Sequence, residues 1–424
     1  MAAARSDHVR VLGASLAGTA VEYYDFFIYA AAASLVLGPL FFPSGSATAQ
    51  LFSAYATFAV AFLARPLGAA FFGHFGDRVG RKSTLVAALM LMGLSTVLIG
   101  LLPTYAMIGW LAPALLCLLR FGQGLGLGGE WGGAALLAVE NAPPGWRGRF
   151  GIFPQLGVPV GMLASNGVFL IMDVLVSPAQ FTTWGWRIPF ILSAALVALG
   201  LWVRLKVAET PAFKAAMEKG PPPSAPLGEM LARHPLTLLA GSVACIALFA
   251  IFYISTAFVL GYGVSALKYP RADLLELQLL GTVFMTAGIL MAGWWCDKAS
   301  PRVVMMAGYA GLAALGLLMP LMLVAGSLPR VGAFLCISFF VQGFVSGPLG
   351  AILPSLFPTR VRYSGASIAF SAGGILGGGV SPMIATALAA KGGLAPVSVY
   401  YSGAALLSFV ALALLGRKSG RHLD

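Results

Sequence analysis

Twelve long apolar segments, separated by short polar turns, occupy most of this 424-residue chain. A membrane-spanning helix needs about 20 consecutive, mainly apolar residues. Only 9% of the residues are charged, whereas soluble domains carry about 25%. The sequence therefore excludes a soluble fold and predicts an all-α membrane protein of twelve transmembrane helices. The expected spans are 11–38, 51–73, 84–103, 107–139, 150–173, 187–206, 237–262, 274–295, 303–325, 331–354, 364–389 and 397–416.

A short charged turn occurs twice, about half a chain apart. Residues 73–82 combine three glycines with one aspartate and three Lys or Arg residues, and a weaker copy lies 220 residues later at 293–302. Parallel repeats of six helices are an established transporter architecture. We therefore expect two pseudo-symmetric six-helix bundles, residues 1–206 and 237–424. A polar, proline-rich cytoplasmic linker at 207–236 joins them.

The formal net charge of +12 is explained by membrane topology. If the N-terminus is cytoplasmic, 19 of the 26 Lys and Arg residues fall in cytoplasmic segments and five fall on the opposite side. Cytoplasmic loops of membrane proteins carry such an excess of basic residues. We therefore expect both termini in the cytoplasm, a lipid bilayer around the helices, and no nucleic-acid partner.

The cysteines and histidines indicate neither a metal site nor an enzyme. The four cysteines lie in or at the ends of apolar segments, without CxxC spacing or a nearby histidine pair. The four histidines lie in or near the expected cytoplasmic segments. We expect no metal and no cofactor, with a proton as the coupling ion. The first apolar segment contains Glu22 and Asp25 and lacks a cleavage site, so we expect it to remain as the first span.

Two stretches, 73–82 and 120–129, resemble signature motifs of the major facilitator superfamily. Further stretches resemble its metabolite:proton symporter branch, whose members carry shikimate, α-ketoglutarate, citrate, proline or betaine. These stretches are 18–29, 65–68, 128–133, 184–190, 209–213 and 357–362. The wording of the first span is most similar to shikimate-transporter-like members. The resemblance implies a transporter of the bacterial cytoplasmic (inner) membrane, which we expect to be a monomer.

Four charged residues of the first half lie within the expected spans and are candidates for coupling. Glu22 and Asp25 lie near mid-bilayer at about 1.5 Å rise per residue, and Glu130 lies about 15 Å deeper than Arg120. A charge at mid-bilayer costs about 2.5–3.5 kcal/mol on insertion scales, so it normally faces a cavity and has a partner. Glu22 and Asp25 are either proton-coupling groups or members of a static ion pair. Glu130 is either a proton relay or part of a cytoplasmic gate.

Arg120 is the natural counter-ion for these carboxylates, and it has two possible roles. Its guanidinium can hold an anionic substrate bidentately, or it can simply neutralise Asp25 or Glu22. The family resemblance favours substrate binding or coupling.

Polar and aromatic side chains within the spans are candidates to line a substrate pocket, although each also suits helix packing. They are Tyr29, Gln123, Gln155, Asn166, Tyr253, Gln342 and Ser371. The second half has no acidic residue at an expected mid-membrane position. We therefore place proton coupling in the first half.

The charged turns are expected to form a cytoplasmic gate. Asp77 is placed to pair with the positive N-terminal end of a facing span, and Arg81 with Glu140 at the inner end of the fourth span. Arg65 either snorkels to the interface or pairs at the gate. The second copy lacks the internal glycines, so we expect the stronger gate at the first copy. The predicted gate residues are Arg65, Asp77, Arg78, Arg81, Glu140 and Asp297.

These observations predict a proton-coupled symporter that imports a small hydrophilic metabolite by alternating access. The expected substrate is an organic acid that resembles shikimate or a dicarboxylate. Two alternatives remain open: a proton symporter of a zwitterionic osmolyte such as proline or betaine, and a drug:proton antiporter. The fifth span only partly resembles the glycine-proline signature of proton antiporters.

Overall fold

The computed structural model describes residues 2–43, 45–79, 81–128, 130–140, 142–143, 145–206, 232–357 and 362–419. Within these ranges every regular element is helical. Twelve of the helices lie where the sequence predicts the spans, so the predicted fold class is confirmed. The predicted linker at 207–236 lies largely outside the described residues.

The twelve long helices are numbered in chain order. Their bounds are α1 Ala2–Ala32, α2 Ala47–Val79, α3 Arg81–Leu101, α4 Leu111–Leu127, α5 Phe153–Leu175, α6 Ile188–Lys206, α7 Pro235–Tyr253, α8 Arg271–Cys296, α9 Pro301–Met322, α10 Leu328–Ser346, α11 Arg362–Gly374 and α12 Leu394–Ser419. Several spans continue as shorter helices: Gly38–Phe41 after α1, Glu130–Glu140 after α4, Val259–Ser265 after α7, Leu349–Ser355 after α10 and Ser381–Gly392 after α11. A short helix, Arg147–Gly151, leads into α5.

Three spans contain a five-residue π-helical segment. One extends α1 at Ala33–Leu37, another extends α7 at Ile254–Phe258, and the third extends α11 at Ile375–Gly379. The first two lie 221 residues apart, close to the 220-residue spacing of the charged turns. Since π segments are rare and often occur at functional sites, their matching positions support a duplicated architecture.

The fourth predicted span, 107–139, is interrupted in the structure. Helix α4 ends at Leu127, and a separate helix begins at Glu130. The stretch between them is rich in glycine, which has a low helix propensity. The predicted stripe from Gln123 to Glu130 therefore does not run along one continuous helix.

The outer surface of the bundle is apolar. Side chains on α2 and α5 are more than half exposed, including Leu63, Leu67, Phe71, Val174 and Leu175. An extended apolar surface of this kind is unfavourable in water, whereas lipid tails are as apolar as leucine. The surface therefore fits a multi-pass membrane protein.

The two halves meet along three pairs of spans. Helix α2 packs on the α11 span, α5 packs on α8, and α1 packs on the π-helical segment of the α7 span. The space between the halves is therefore lined by helices from both repeats.

Glycines bring α2 and α4 into close contact within the first half. A Cβ atom on Gly124 would fall on the backbone carbonyl of Ala61, and one on Gly128 would fall on that of Arg65. This close approach places Arg65 of α2 and Arg120 of α4 on neighbouring helices deep in the bundle.

The crossing of α8 and α10 is equally tight and provides a test of the packing. A Cβ atom on Gly343 would lie 2.6 Å from the backbone carbon of Gly288. We expect Gly343→Ala to lower stability by about 1–3 kcal/mol, the usual cost of overpacking. Thermal unfolding of the purified protein in detergent measures this change.

Gly403→Ala is the matched control, because a Cβ atom there would meet nothing within 4 Å. It should leave the melting temperature unchanged or raise it slightly, as glycine-to-alanine changes in helices do. Equal effects of the two substitutions would contradict the close α8–α10 packing.

Candidate transport site

Arg120 is completely buried, and aromatic rings surround its guanidinium. The Cζ atom lies 3.8 Å from the ring centroid of Tyr29, 4.9 Å from that of Phe26 and 5.2 Å from that of Phe58. Nη1 donates a hydrogen bond of 2.6 Å to Oε1 of Gln123. Nε and Nη2 have no hydrogen-bond partner among the described residues. Arg120 thus retains unused donors that a carboxylate can accept.

A chain of hydrogen bonds leads from Arg120 to Asp25. Nε2 of Gln123 donates to Oγ1 of Thr96 over 2.7 Å, and Oγ1 of Thr96 lies 3.0 Å from Oδ2 of Asp25. The hydroxyl of Ser193 donates to the other carboxylate oxygen. Asp25 on α1 therefore faces α3 and α6 and connects to Arg120 through two intervening side chains.

Thr96 can serve both protonation states of Asp25. Its single hydroxyl hydrogen can go to the Asp25 carboxylate or to the backbone carbonyl of Met92, which also lies 3.0 Å away. A hydroxyl oxygen has two acceptor sites. When Asp25 is protonated, Thr96 can accept from Asp25 and Gln123 while donating to Met92. The chain thus stays fully hydrogen-bonded in both states.

A direct ion pair between Arg120 and Asp25 or Glu22 is absent, so that expected contact is wrong. The ion pairs among the described residues are Arg149–Asp297 and Asp173–Arg271. The i,i+3 spacing of Glu22 and Asp25 correctly places both inside, but it does not reveal which neighbouring helix each one faces. Both roles proposed for each carboxylate remain predictions.

Arg65 lies in the protein interior and does not snorkel. It is 7% exposed, and its Cζ atom lies 4.6 Å from the ring centroid of Phe26 and 4.3 Å from that of Phe62. It interacts electrostatically with Glu22. Arg65 and Arg120 therefore flank the same aromatic side chain, Phe26. The predicted role of Arg65 in a gate remains untested.

A cleft of about 390 Å³ separates the two halves and contains three of the predicted pocket residues, Gln155, Tyr253 and Gln342. The ring of Tyr253 also packs against Phe26 and Phe62, which hold the arginines. Tyr253 therefore stands between the cleft and the buried guanidinium groups.

Four other predicted residues lie outside that cleft. Asn166 lines a second cavity of about 250 Å³ and donates to Gln278 over 2.9 Å. Tyr29 hydrogen-bonds Thr57 beneath Arg120, and Gln123 lies in the chain to Asp25. Ser371 is buried and lines neither cavity.

The halves are joined at the end of the molecule that carries Asp173, here called the Asp173 face. Asp173 of α5 forms an ion pair with Arg271 of α8. The two π-helical segments also meet, because Oγ of Ser34 lies 3.1 Å from the carbonyl oxygen of Ala257. The hydroxyl of Tyr55 donates to the same carbonyl over 2.6 Å. These contacts close the Asp173 face.

The opposite end, the Asp297 face, is joined by different contacts. Asp297 pairs with Arg149 over 3.0 Å and accepts a hydrogen bond of 2.8 Å from the backbone N–H of Gly148. Trp131 stacks on Phe370 with 4.1 Å between ring centroids. The second copy of the charged turn thus does connect the two halves.

The remaining gate predictions fall outside the described side chains. These residues are Asp77, Arg78, Arg81, Glu130 and Glu140. Whether the first copy forms the stronger gate therefore stays a prediction.

Sequence reasoning missed Thr96, Ser193 and the aromatic rings around the two arginines. Hydroxyl groups and phenylalanines are common in membrane helices, so neither type stands out. Contact with Asp25 identifies Thr96 and Ser193, and such contact depends on how the helices pack.

Comparisons with known proteins agree with this arrangement. The family model described as "Sugar (and other) transporter" matches residues 11–221. The chain is 47% identical to the inner membrane metabolite transport protein YhjE of Escherichia coli (strain K12), over 96% of this chain and 93% of that protein. It is 37% identical to the shikimate transporter of the same organism, over 96% of this chain and 94% of that protein.

A solved structure of the xylose transporter XylE from E. coli has the same fold. The TM-score is 0.73 at 17% identity, over 99% of this chain and 98% of that chain. The fold and the buried polar interior therefore define a membrane transporter of the major facilitator superfamily, and not an enzyme. Within that superfamily, the chain belongs to the metabolite:proton symporter family.

The Asp173–Arg271 pair gives a test of closure at the Asp173 face. Both side chains are largely buried, with 24% and 18% exposure. The pair stabilises only the state in which this face is closed, so Asp173→Asn should shift the population toward opening. We expect the alkylation rate of a cysteine introduced by Ala30→Cys, which lines the 250 Å³ cavity, to rise severalfold in purified protein.

The assay needs a background in which the four native cysteines are replaced. Asp273→Asn is the matched control, because it removes a carboxylate from the first turn of the same helix, α8, and leaves the pair intact. An unchanged alkylation rate in Asp173→Asn would show that this pair does not hold the face closed.

Proposed function

We propose that the protein is a proton-coupled symporter that imports a small carboxylate. The observation that carries this proposal is the environment of Arg120, a buried guanidinium with two unused donor nitrogens. A carboxylate is the natural partner for such a planar donor group. The hydrogen-bonded chain to Asp25 supplies a path by which a proton and the substrate influence each other.

The Asp297 face is proposed to be cytoplasmic, with both termini on the same side. The excess of Lys and Arg supports this orientation, because cytoplasmic segments carry most of them. The Asp173 face then opens to the outside. Asp25 is expected to receive its proton when that face is open.

Each protein group has a distinct role in the proposed cycle. Protonation of Asp25 lets Thr96 donate to Met92 and removes one negative charge near Arg120. Arg120 then binds the substrate carboxylate, with Tyr253 moving aside at the wall of the cleft. The halves rock toward the inward-open state, and proton and substrate leave at the Asp297 face. Glu22, paired electrostatically with Arg65, keeps the second buried arginine neutralised.

The relatives support an acid as the substrate, since one of them is named a shikimate transporter. The buried arginines support the same class, because a zwitterion or a cationic drug brings a positive group toward them. Accumulation of betaine but no acid would favour an osmolyte symporter. Proton-driven efflux of a cationic drug would favour an antiporter.

Asp25→Asn separates proton coupling from substrate movement. Asparagine keeps the size of the side chain but cannot take up a proton. We expect proteoliposomes with this variant to lose accumulation driven by an imposed pH gradient, while exchange of internal for external substrate continues. Uptake of labelled acid with and without the gradient measures both activities.

Glu276→Gln is the control, since this carboxylate is exposed on α8. It should accumulate substrate like the unmodified protein. If Asp25→Asn still accumulates the acid against its gradient, Asp25 is not the coupling group.

Arg120→Lys tests the contact with the carboxylate. Lysine keeps the positive charge but loses the planar fork that binds a carboxylate bidentately. A hydrogen bond to a charged group contributes about 1.5–3 kcal/mol, and 1.4 kcal/mol corresponds to about tenfold in affinity. We therefore expect the dissociation constant for the acid to rise at least about tenfold in calorimetric titration.

The control for this substitution is Arg330→Lys, on an exposed arginine in the first turn of α10. It should bind the acid with unchanged affinity. Equal affinity of Arg120→Lys and the unmodified protein would place the carboxylate elsewhere.

A further inference from the structure

The cleft between the halves contains two buried amide groups with unused hydrogen-bonding atoms. Gln155 and Gln342 are each 2% exposed and both line the cleft. Nε2 of Gln155, a donor, and Oε1 of Gln342, an acceptor, have no partner among the described residues. Buried polar atoms in native proteins are nearly always hydrogen-bonded. These two atoms therefore point to a polar ligand.

The orientation of Gln342 is fixed by the backbone. Its Nε2 donates a hydrogen bond of 2.6 Å to the carbonyl of Leu248 in α7. Its Oε1 is consequently left as an acceptor in the cleft. Gln155 comes from α5 in the other half, so a ligand that engages both amides connects the two bundles.

The rest of the cleft is mainly aromatic. Six of its lining residues are phenylalanine or tyrosine, and Val158, Leu248 and Met285 add apolar surface. Phe249 and Phe370 lie close together, with 4.8 Å between ring centroids. Flat aromatic walls favour a ligand with an apolar ring. A second carboxylate buried against such walls would be costly.

We propose that the substrate is a ring-shaped monocarboxylate that carries at least one hydroxyl group away from the carboxylate. A hydroxyl both donates and accepts, so it can donate to Gln342 and accept from Gln155. This inference rests on the proposed function for the carboxylate, which binds on the Tyr253 side of the cleft toward Arg120. The two glutamines and the aromatic walls then select the ring and its hydroxyl over a linear dicarboxylate or a betaine.

Binding to the purified protein in detergent tests the selection independently of transport. The probes are trans-4-hydroxycyclohexanecarboxylate, cyclohexanecarboxylate, succinate and glycine betaine, each measured by isothermal titration calorimetry. We expect the hydroxylated ring to bind about tenfold or more tightly than the unhydroxylated ring, because the latter leaves two buried polar atoms without partners. Succinate and betaine should bind more weakly still.

Gln155→Leu identifies the group that recognises the hydroxyl. Nε2 of Gln155 has no partner to lose, so we expect the variant to fold, and the preference for the hydroxylated ring should fall to about twofold. Gln342→Met is a second variant with the same expected result. The control is Gln50→Leu, at the start of α2 and outside the cleft, which should keep the full preference.

Three results would overturn the inference. Equal binding of the two ring acids would exclude recognition of a hydroxyl, and tighter binding of succinate would exclude a ring-selective monocarboxylate site. An unchanged preference in both glutamine variants would exclude these amides. By contrast, selective binding without proton-driven uptake would contradict the proposed symport and leave this inference standing. Binding of betaine alone would contradict both.

Discussion

The buried guanidinium of Arg120 is the constraint on which the interior of this protein depends. Removing a charge from water costs several kcal/mol unless the surroundings compensate. Here the compensation comes from the faces of three aromatic rings and from one short hydrogen bond to Gln123. Neither source supplies a negative charge. The site is therefore suited to an anion that arrives and leaves, which a permanently paired arginine would not be.

This interior requires helices that approach one another closely. Glycines at the α2–α4 crossing let two arginine-bearing helices touch, and the aromatic rings fill the space toward the second half. The contacts between halves lie at the two ends, with Asp173–Arg271 at one face and Asp297–Arg149 at the other. A rocking motion can break one set while it retains the other, so the two sets define the two states between which a substrate moves.

Much of the fold was predictable, because span length and the spacing of repeated turns survive in the sequence. The positions of Glu22, Asp25 and Arg120 inside the bundle were also predictable, since charges in apolar segments stand out. The partners of these charges were not. Asp25 bonds Thr96 and Ser193, whose hydroxyls look like many others in the chain, and helix rotation decides which of them it meets. The break after α4 depends on close packing against α2, which a single sequence does not show.

The central claim is that Thr96 connects the proton site to the substrate site. The most direct measurement compares proton uptake upon substrate binding in the unmodified protein and in Thr96→Val, with a pH indicator in weakly buffered detergent solution. Coupling between two sites is reciprocal, so the account predicts that addition of the acid raises proton uptake in the unmodified protein. In Thr96→Val both ligands should still bind, but proton uptake should no longer depend on the acid. Unchanged, substrate-dependent proton uptake in Thr96→Val would contradict the account.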